Sequence, residues 1–159
     1  MLWPRLAVRL PNCLSTLRLV KAHRCASGEK GERSQEIGRS RGGRTTKIHA
    51  LADRDCRLTA FLLTGGQVLD CIAADTLLDE IDTADLVHGD KGYDTNAVRQ
   101  KIEAKGAASK NCFSPSLYKS RDAIERMFNR LRDFRHIAAR YNRLAINFRA
   151  AVCIATTVS

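Results

Sequence analysis

The sequence predicts an α/β fold, a mixed β-sheet covered by helices, and three observations carry that prediction. KIHALAD and RLTAFLLTGG flank a turn marked by Asp53 and Asp55 and read as a β-hairpin. Segments near Gln67, Thr95, Tyr118 and Tyr141 place apolar residues three and four apart, the spacing of amphipathic helices. Short strands and helices then alternate from Ala84 onward, an order that a sheet with helical layers satisfies.

With 159 residues, 44% of them hydrophobic, the chain can bury one ordinary core, which argues against wholesale disorder. Its net charge of +10 is unevenly distributed. Residues 1–57 carry 13 basic and 5 acidic side chains (+8), residues 58–98 carry 1 and 8 (−7), and residues 99–159 carry 13 and 4 (+9). Basic flanks around an acidic middle suit a protein that grips phosphates and collects carboxylates for a divalent cation. A basic soluble protein without a nucleic-acid partner is the plainer alternative. The six cysteines occur singly, without zinc-like spacing, and read as reduced thiols of a cytoplasmic chain. Neither the N-terminus, broken by Pro4, Arg5, Arg9 and Pro11, nor the C-terminal run reads as a signal peptide or membrane span.

In chain order, residues 1–20 form a weakly specified N-terminal segment and 21–159 the main domain, although Leu14–Ala22 has the character of a strand. Residues 24–45, rich in Gly, Ser and Arg, are expected to be a mobile basic loop. After the hairpin, Gly65-Gly66 is a turn into a helix over Gln67–Ile81, with Ile72, Ala73, Leu77, Leu78 and Ile81 as its stripe and Asp70 placed to cap or precede it. Ala84–His88 is a short apolar strand, Thr95–Lys105 a helix stopped by Gly106, and Ala107–Phe113 a weaker strand. A long helix covers Tyr118–Ile137, striped by Ile124, Met127, Phe128, Leu131 and Phe134, and a last one covers about Tyr141–Thr156.

Two carboxylates stand out. Asp90 follows a strand and precedes the Gly92 turn, where open α/β sheets place functional groups, although Asp and Gly also make ordinary turns. Glu125 sits in a basic ladder with Arg121, Arg126, Arg130 and Arg132, and Tyr118, Arg121, Glu125 and Arg132 share one helix face. Either the ladder is a solvated face tied by weak pairs, or Glu125 handles a metal beside a polyanion. Carboxylates from two separate elements can hold Mg2+ through oxygen ligands. His49, in a predicted strand, reads as a core histidine with its hydrogen bonds satisfied.

The stretches GRSRGGRTTKIHALAD, LLTGGQVLD, GDKGYD and YKSRDAIERMFNRLRDFRHIAARYNRLAINFRAAVCIA closely resemble the C-terminal catalytic part of bacterial insertion-sequence transposases of the DDE class, over about residues 21–158. The most specific part is a helical Tyr, Arg, Glu, Lys signature, met here by Tyr118, Arg121, Glu125 and Arg132, with arginine in the lysine place. The resemblance implies a ribonuclease-H-like mixed sheet flanked by helices, here incomplete, and cutting and joining of DNA with Mg2+ (or Mn2+) held by two aspartates and a glutamate. Asp90 would be the second aspartate and Glu125 the glutamate, catalytic and metal-binding. Tyr118, Arg121, Arg126 and Arg132 would contact double-stranded DNA at the ends of the element. A homodimer or association with an intact transposase is implied, in the cytoplasm or on the nucleoid.

Two departures qualify this. No acid occurs from Met1 to Ala26, and Ser15 or Thr16 stands near the place of the first aspartate. Only Ser114–Leu117 fills what is a longer basic loop in relatives. The expectation is a degenerate or truncated copy, inactive alone. Its rivals are a non-catalytic DNA-binding remnant, a basic RNA-associated protein, and an unstable open-reading-frame product with no function.

Overall fold

The computed structural model describes residues 12–26, 35–53, 55, 57–80, 87–89, 91–106 and 125–158, and for 12–18, 88 and 91 the backbone only. The strands are β1 (Asn12–Ala22), β2 (Gly38–Ser40), β3 (Gly43–Ala52), β4 (Leu58–Gly65), β5 (Val87–Gly89) and β6 (Ala139–Arg140). The helices are α1 (Asp70–Asp79), α2 (Asn96–Ala104), α3 (helical over residues 125–133), α4 (Arg135–Ala138) and α5 (Ala145–Val158), with a 3₁₀ turn at Lys91–Tyr93.

β3 lies at the middle of the mixed sheet. It runs antiparallel to β1 from the Cys13–Ala52 pair to the Lys21–Thr45 pair, with an irregularity between Leu17 and Val20. Its other edge is shared by β4, along residues 46–52, and β2, along residues 43–45. β5 and β6 share the outer edge of β1, both parallel to it, one at each end. Helices cover both faces, which gives the ribonuclease-H-like α/β architecture.

Strand alternation divides the core in two. Ile48, Ala50 and Ala52 pack with Leu63, Phe128, Leu131, Ile137, Phe148 and Val152, beneath α3, α4 and α5. Leu51 points the other way, into Leu77, Leu78, Tyr93, Val98 and Ile102 of α1, the 3₁₀ turn and α2. A strand buried on both faces reads as a nearly unbroken apolar run, as KIHALA does.

Local signals placed several elements where expected. Asp53 Oδ1 accepts the N–H groups of Asp55 and Arg57, both at 2.9 Å, and closes the β3–β4 turn. Thr95 Oγ1 accepts the Val98 N–H and caps α2, which ends before Gly106 at φ +80°.

Other expectations need correction. Residues 24–45 are not simply a loop: Gly38–Ser40 pairs with β3, and buried Ile37 anchors the approach to it. Asp70 does not cap α1, whose N-cap is Leu69, because its carboxylate is drawn to Lys47. Ile72 is 60% exposed and leaves the buried stripe to Ala73, Ala74, Leu77 and Leu78. The helix expected through Ile137 stops at residue 133; Phe134 is extended (φ −79°, ψ 112°) so that the chain can turn into α4 and β6. β6 also displaces the start of the last helix from Tyr141 to Ala145. The strand at Ala107–Phe113, the segment Ser114–Leu117, and Ile81, Ile124 and residues 84–86 lie outside the described residues.

Phe148 is fully buried, with the Arg140 guanidinium 5.0 Å above its ring. Phe148→Ala is expected to cost about 3–5 kcal/mol, whereas Ile146→Ala, on the exposed side of α5, should stay within about 0.5 kcal/mol. Urea unfolding of the two variants measures both.

Candidate functional site

The site expected from sequence begins where β5 meets β1. Parallel pairing sets Leu14 beside Gly89, so Ser15 and Thr16 follow at the end of β5 where Asp90 comes next in the chain. Across β1, Ser15 pairs with Ala50 and Thr16 with His49. Residues bearing hydroxyls thus occupy the strand positions next to the β5 end. Asp90 itself, with Tyr118 and Arg121, lies outside the described residues.

What immediately follows Asp90 is tightly held. Tyr93 is buried, and its hydroxyl lies 2.9 Å from His49 Nδ1. His49 Nε2 lies 2.7 Å from Thr64 Oγ1 on β4, and the His49 and Tyr93 rings meet edge to face. Gly92 leans on Asp70: a Cβ there would stand 2.6 Å from Asp70 Oδ2, closer than such atoms approach. Asp70 in turn receives Lys47 Nζ at 2.8 Å, and the same ammonium donates to the Val68 carbonyl at 2.7 Å. Lys47 and His49 sit two apart on β3 and so project to one face, the α1 side. Together they tie the turn after Asp90 to both the sheet and α1.

Burial sets the protonation state of this network. Loss of water around His49 lowers its pKa from 6.5 to about 4; Asp70 acts the other way and Lys47 adds to the lowering. The ring is therefore neutral near pH 7, one nitrogen donating and the other accepting, which two hydroxyl partners accommodate. His49 was legible in the sequence as a satisfied core histidine. Its Tyr93 partner was not, although Lys47 and His49 interrupting an apolar strand at alternate positions were the available signal.

α3 presents the second group. Phe128 and Leu131 are buried, and Glu125, Arg126, Arg130 and Arg132 are exposed. Glu125 and Arg132 are seven residues, two turns, apart and rise along the same side. α3 packs on the opposite face of the sheet from His49 and Tyr93. Among the described residues, no three His, Cys, Asp or Glu side chains gather closely enough to hold a metal ion.

A family model for the transposase DDE domain matches residues 15–111. The chain belongs to that family. The comparison with curated proteins found no match. The matched segment begins at Ser15 within β1, one residue past the Leu14–Gly89 pair, runs through α2, and includes β5, the GDKGYD stretch and the Lys47–Asp70 and His49–Tyr93 contacts. Glu125 and the α3 arginines stand beyond it.

The pH response of stability follows from His49. Its folded pKa lies below its unfolded one, so the unfolded chain takes up the proton first as pH falls. Stability present above pH 6.5 is lost progressively down to about pH 4, on the order of 3 kcal/mol in all. Urea midpoints measured between pH 7.5 and roughly 4.5 should fall along that window, and His49→Gln should flatten that part of the curve.

Proposed function

We propose that the chain is a DNA-binding, catalytically defective DDE-transposase domain. It would hold duplex DNA through phosphate contacts from its basic surfaces, with Arg126 and Arg132 of α3, and Tyr118 and Arg121 upstream, among the contacting residues. The observation that supports the defect is the β1–β5 register: Leu14 pairs with Gly89, the residue before Asp90, and the next residues on β1 are Ser15 and Thr16, not an acid. Family membership supports DNA as the partner. Among the described residues, no helix is long and apolar enough to cross a membrane.

Asp90 and Glu125 would be the metal ligands and the catalytic carboxylates. Carboxylate oxygens suit Mg2+, or Mn2+ in its place, and such an ion would stabilise charge on the attacking and leaving oxygens of a phosphodiester. Two carboxylates beside a hydroxyl fit one loosely held ion. They do not fit the closely spaced pair that in-line strand cleavage uses, since a hydroxyl brings no negative charge to offset a second cation. The residues of this chain therefore bind and position DNA without completing the reaction. Association with a second copy, or with an intact transposase, would supply what is missing.

The test is cleavage of duplex DNA carrying the ends of the encoding element, in Mg2+ or Mn2+, beside Asp90→Asn and Glu125→Gln. The expected result is retained DNA binding with no metal-dependent nicking in any of the three. Robust nicking by the parent chain that both substitutions abolish would overturn the reading. Restoring an acid at Ser15 or Thr16 should tighten Mn2+ binding by about tenfold or more in titration calorimetry.

A further inference from the structure

Three stretches far apart in the sequence meet at one place in the fold. GRSRGGRTTKIHALAD supplies Lys47 and His49, LLTGGQVLD supplies Val68 and Asp70, and GDKGYD supplies Gly92 and Tyr93. Of all these residues the metal-binding reading uses none; it takes only Asp90 from the third stretch. Their contacts converge on the turn that follows it.

In the chain, Asp90 stands between two fixed points. Before it, Gly89 pairs with Leu14 of β1. After it, the 3₁₀ turn Lys91–Tyr93 is gripped from two directions. From the sheet, His49 Nδ1 lies 2.9 Å from the Tyr93 hydroxyl, and its Nε2 lies 2.7 Å from Thr64 Oγ1. From α1, Asp70 Oδ2 fills the space over Gly92 where a Cβ would stand only 2.6 Å away. The other oxygen of that carboxylate receives Lys47 Nζ at 2.8 Å. The Tyr93 carbonyl then accepts the Thr95 N–H at 2.9 Å and passes the turn into α2.

Asp70 is itself a carboxylate near the candidate site, but its charge is already answered. An ammonium bonded to one oxygen competes with a divalent cation for the same lone pairs. Asp70 is thereby suited to hold the turn and not to take the metal. Tyr93 is 2% exposed, so water does not replace the His49 contact once it is lost.

We infer that Lys47, Asp70, His49 and Tyr93 are positioning residues of the metal site, which act through the Lys91–Tyr93 turn to aim the Asp90 carboxylate at the cation. The inference rests on the reading of Asp90 as a metal ligand. Groups that orient a ligand without touching the metal govern affinity through the ligand's direction, because a carboxylate free to rotate must be ordered each time the ion binds.

The probe is Mn2+, titrated into the full chain and followed by loss of the free-ion electron paramagnetic resonance signal. Tyr93→Phe removes one hydroxyl and keeps the ring, and Asp70→Asn removes the charge and keeps the shape. Each should weaken Mn2+ binding by about tenfold. Lys47→Arg, which keeps a cation against Asp70, should restore most of the affinity that Lys47→Met loses. Lys101→Gln breaks the ion pairs of Lys101 with Asp75 and Asp79, at 2.6 and 2.9 Å, between α2 and α1 but away from the turn, and should bind like the parent. Urea unfolding with and without Mn2+ separates binding from packing: a variant that only loosens the fold lowers both midpoints and keeps their difference, whereas lost positioning shrinks the difference. Parent-like Mn2+ affinity in Tyr93→Phe and Asp70→Asn overturns the inference, as does an equal loss in Lys101→Gln. Should Asp70→Asn fail to fold, Tyr93→Phe decides alone. A parent chain that binds Mn2+ no better than Asp90→Asn refutes the reading of Asp90 as a ligand, a separate result, and the inference falls with it.

Discussion

β3 is constrained on every side. Both of its edges are paired, to β1 on one and to β4 and β2 on the other. Both of its faces are covered, Ile48, Ala50 and Ala52 on one and Leu51 on the other. A slip of one residue would exchange the two faces, driving His49 toward the α5 core and Ile48 into the polar network beside Tyr93. Register is therefore fixed from inside the sheet. β1 inherits it through pairing, and the junction of Leu14 with Gly89 inherits it from β1.

The α1 side of that strand is where the interior accepts polar groups. Burying an imidazole without partners costs several kcal/mol on transfer scales, and here two hydroxyls meet it. Lys47 and Asp70, each less than a quarter exposed, satisfy one another, and Lys47 also reaches a backbone carbonyl. These contacts add less to stability than apolar packing of the same volume would. What they add is direction, because hydrogen bonds fix angles that apolar contacts leave loose. Their common target is the short turn through Gly92 and Tyr93, the segment that leaves Asp90. An apolar strand interrupted twice on one face thus becomes the support of a candidate active-site turn.

Sequence reasoning reached the elements whose signals are local. The Asp53 turn and the Gly106 stop each depend on a side chain or a backbone freedom within a few residues, and each stands as expected. It missed β6 and the early end of α3, because a two-residue strand has no period of its own. β6 exists through Lys21 and Ala22, more than a hundred residues away in the chain. β2 was hidden for a similar reason: its composition is that of a loop, and a single buried isoleucine and a partner strand override it. At the candidate site, sequence pointed to the β1–β5 junction and to His49 as a buried, bonded histidine. The family match begins at Ser15, just past that junction, and ends before Glu125. The ladder on α3 thus rests on sequence spacing and on exposure in the folded chain.

Arg140 shows how charge is managed across the same fold. It is fully buried, donates to Thr46 Oγ1 and to the carbonyls of Asn142 and Arg143, and lies over the Phe148 ring. Burial pushes its pKa down and Glu36 pushes it back, but an arginine so bonded stays charged. Glu36 answers in kind: burial raises its pKa, and Arg149 and Arg140 lower it. Opposite charges are therefore set near one another at the base of the β2–β3 hairpin, where helix α5, β6 and β3 must be joined.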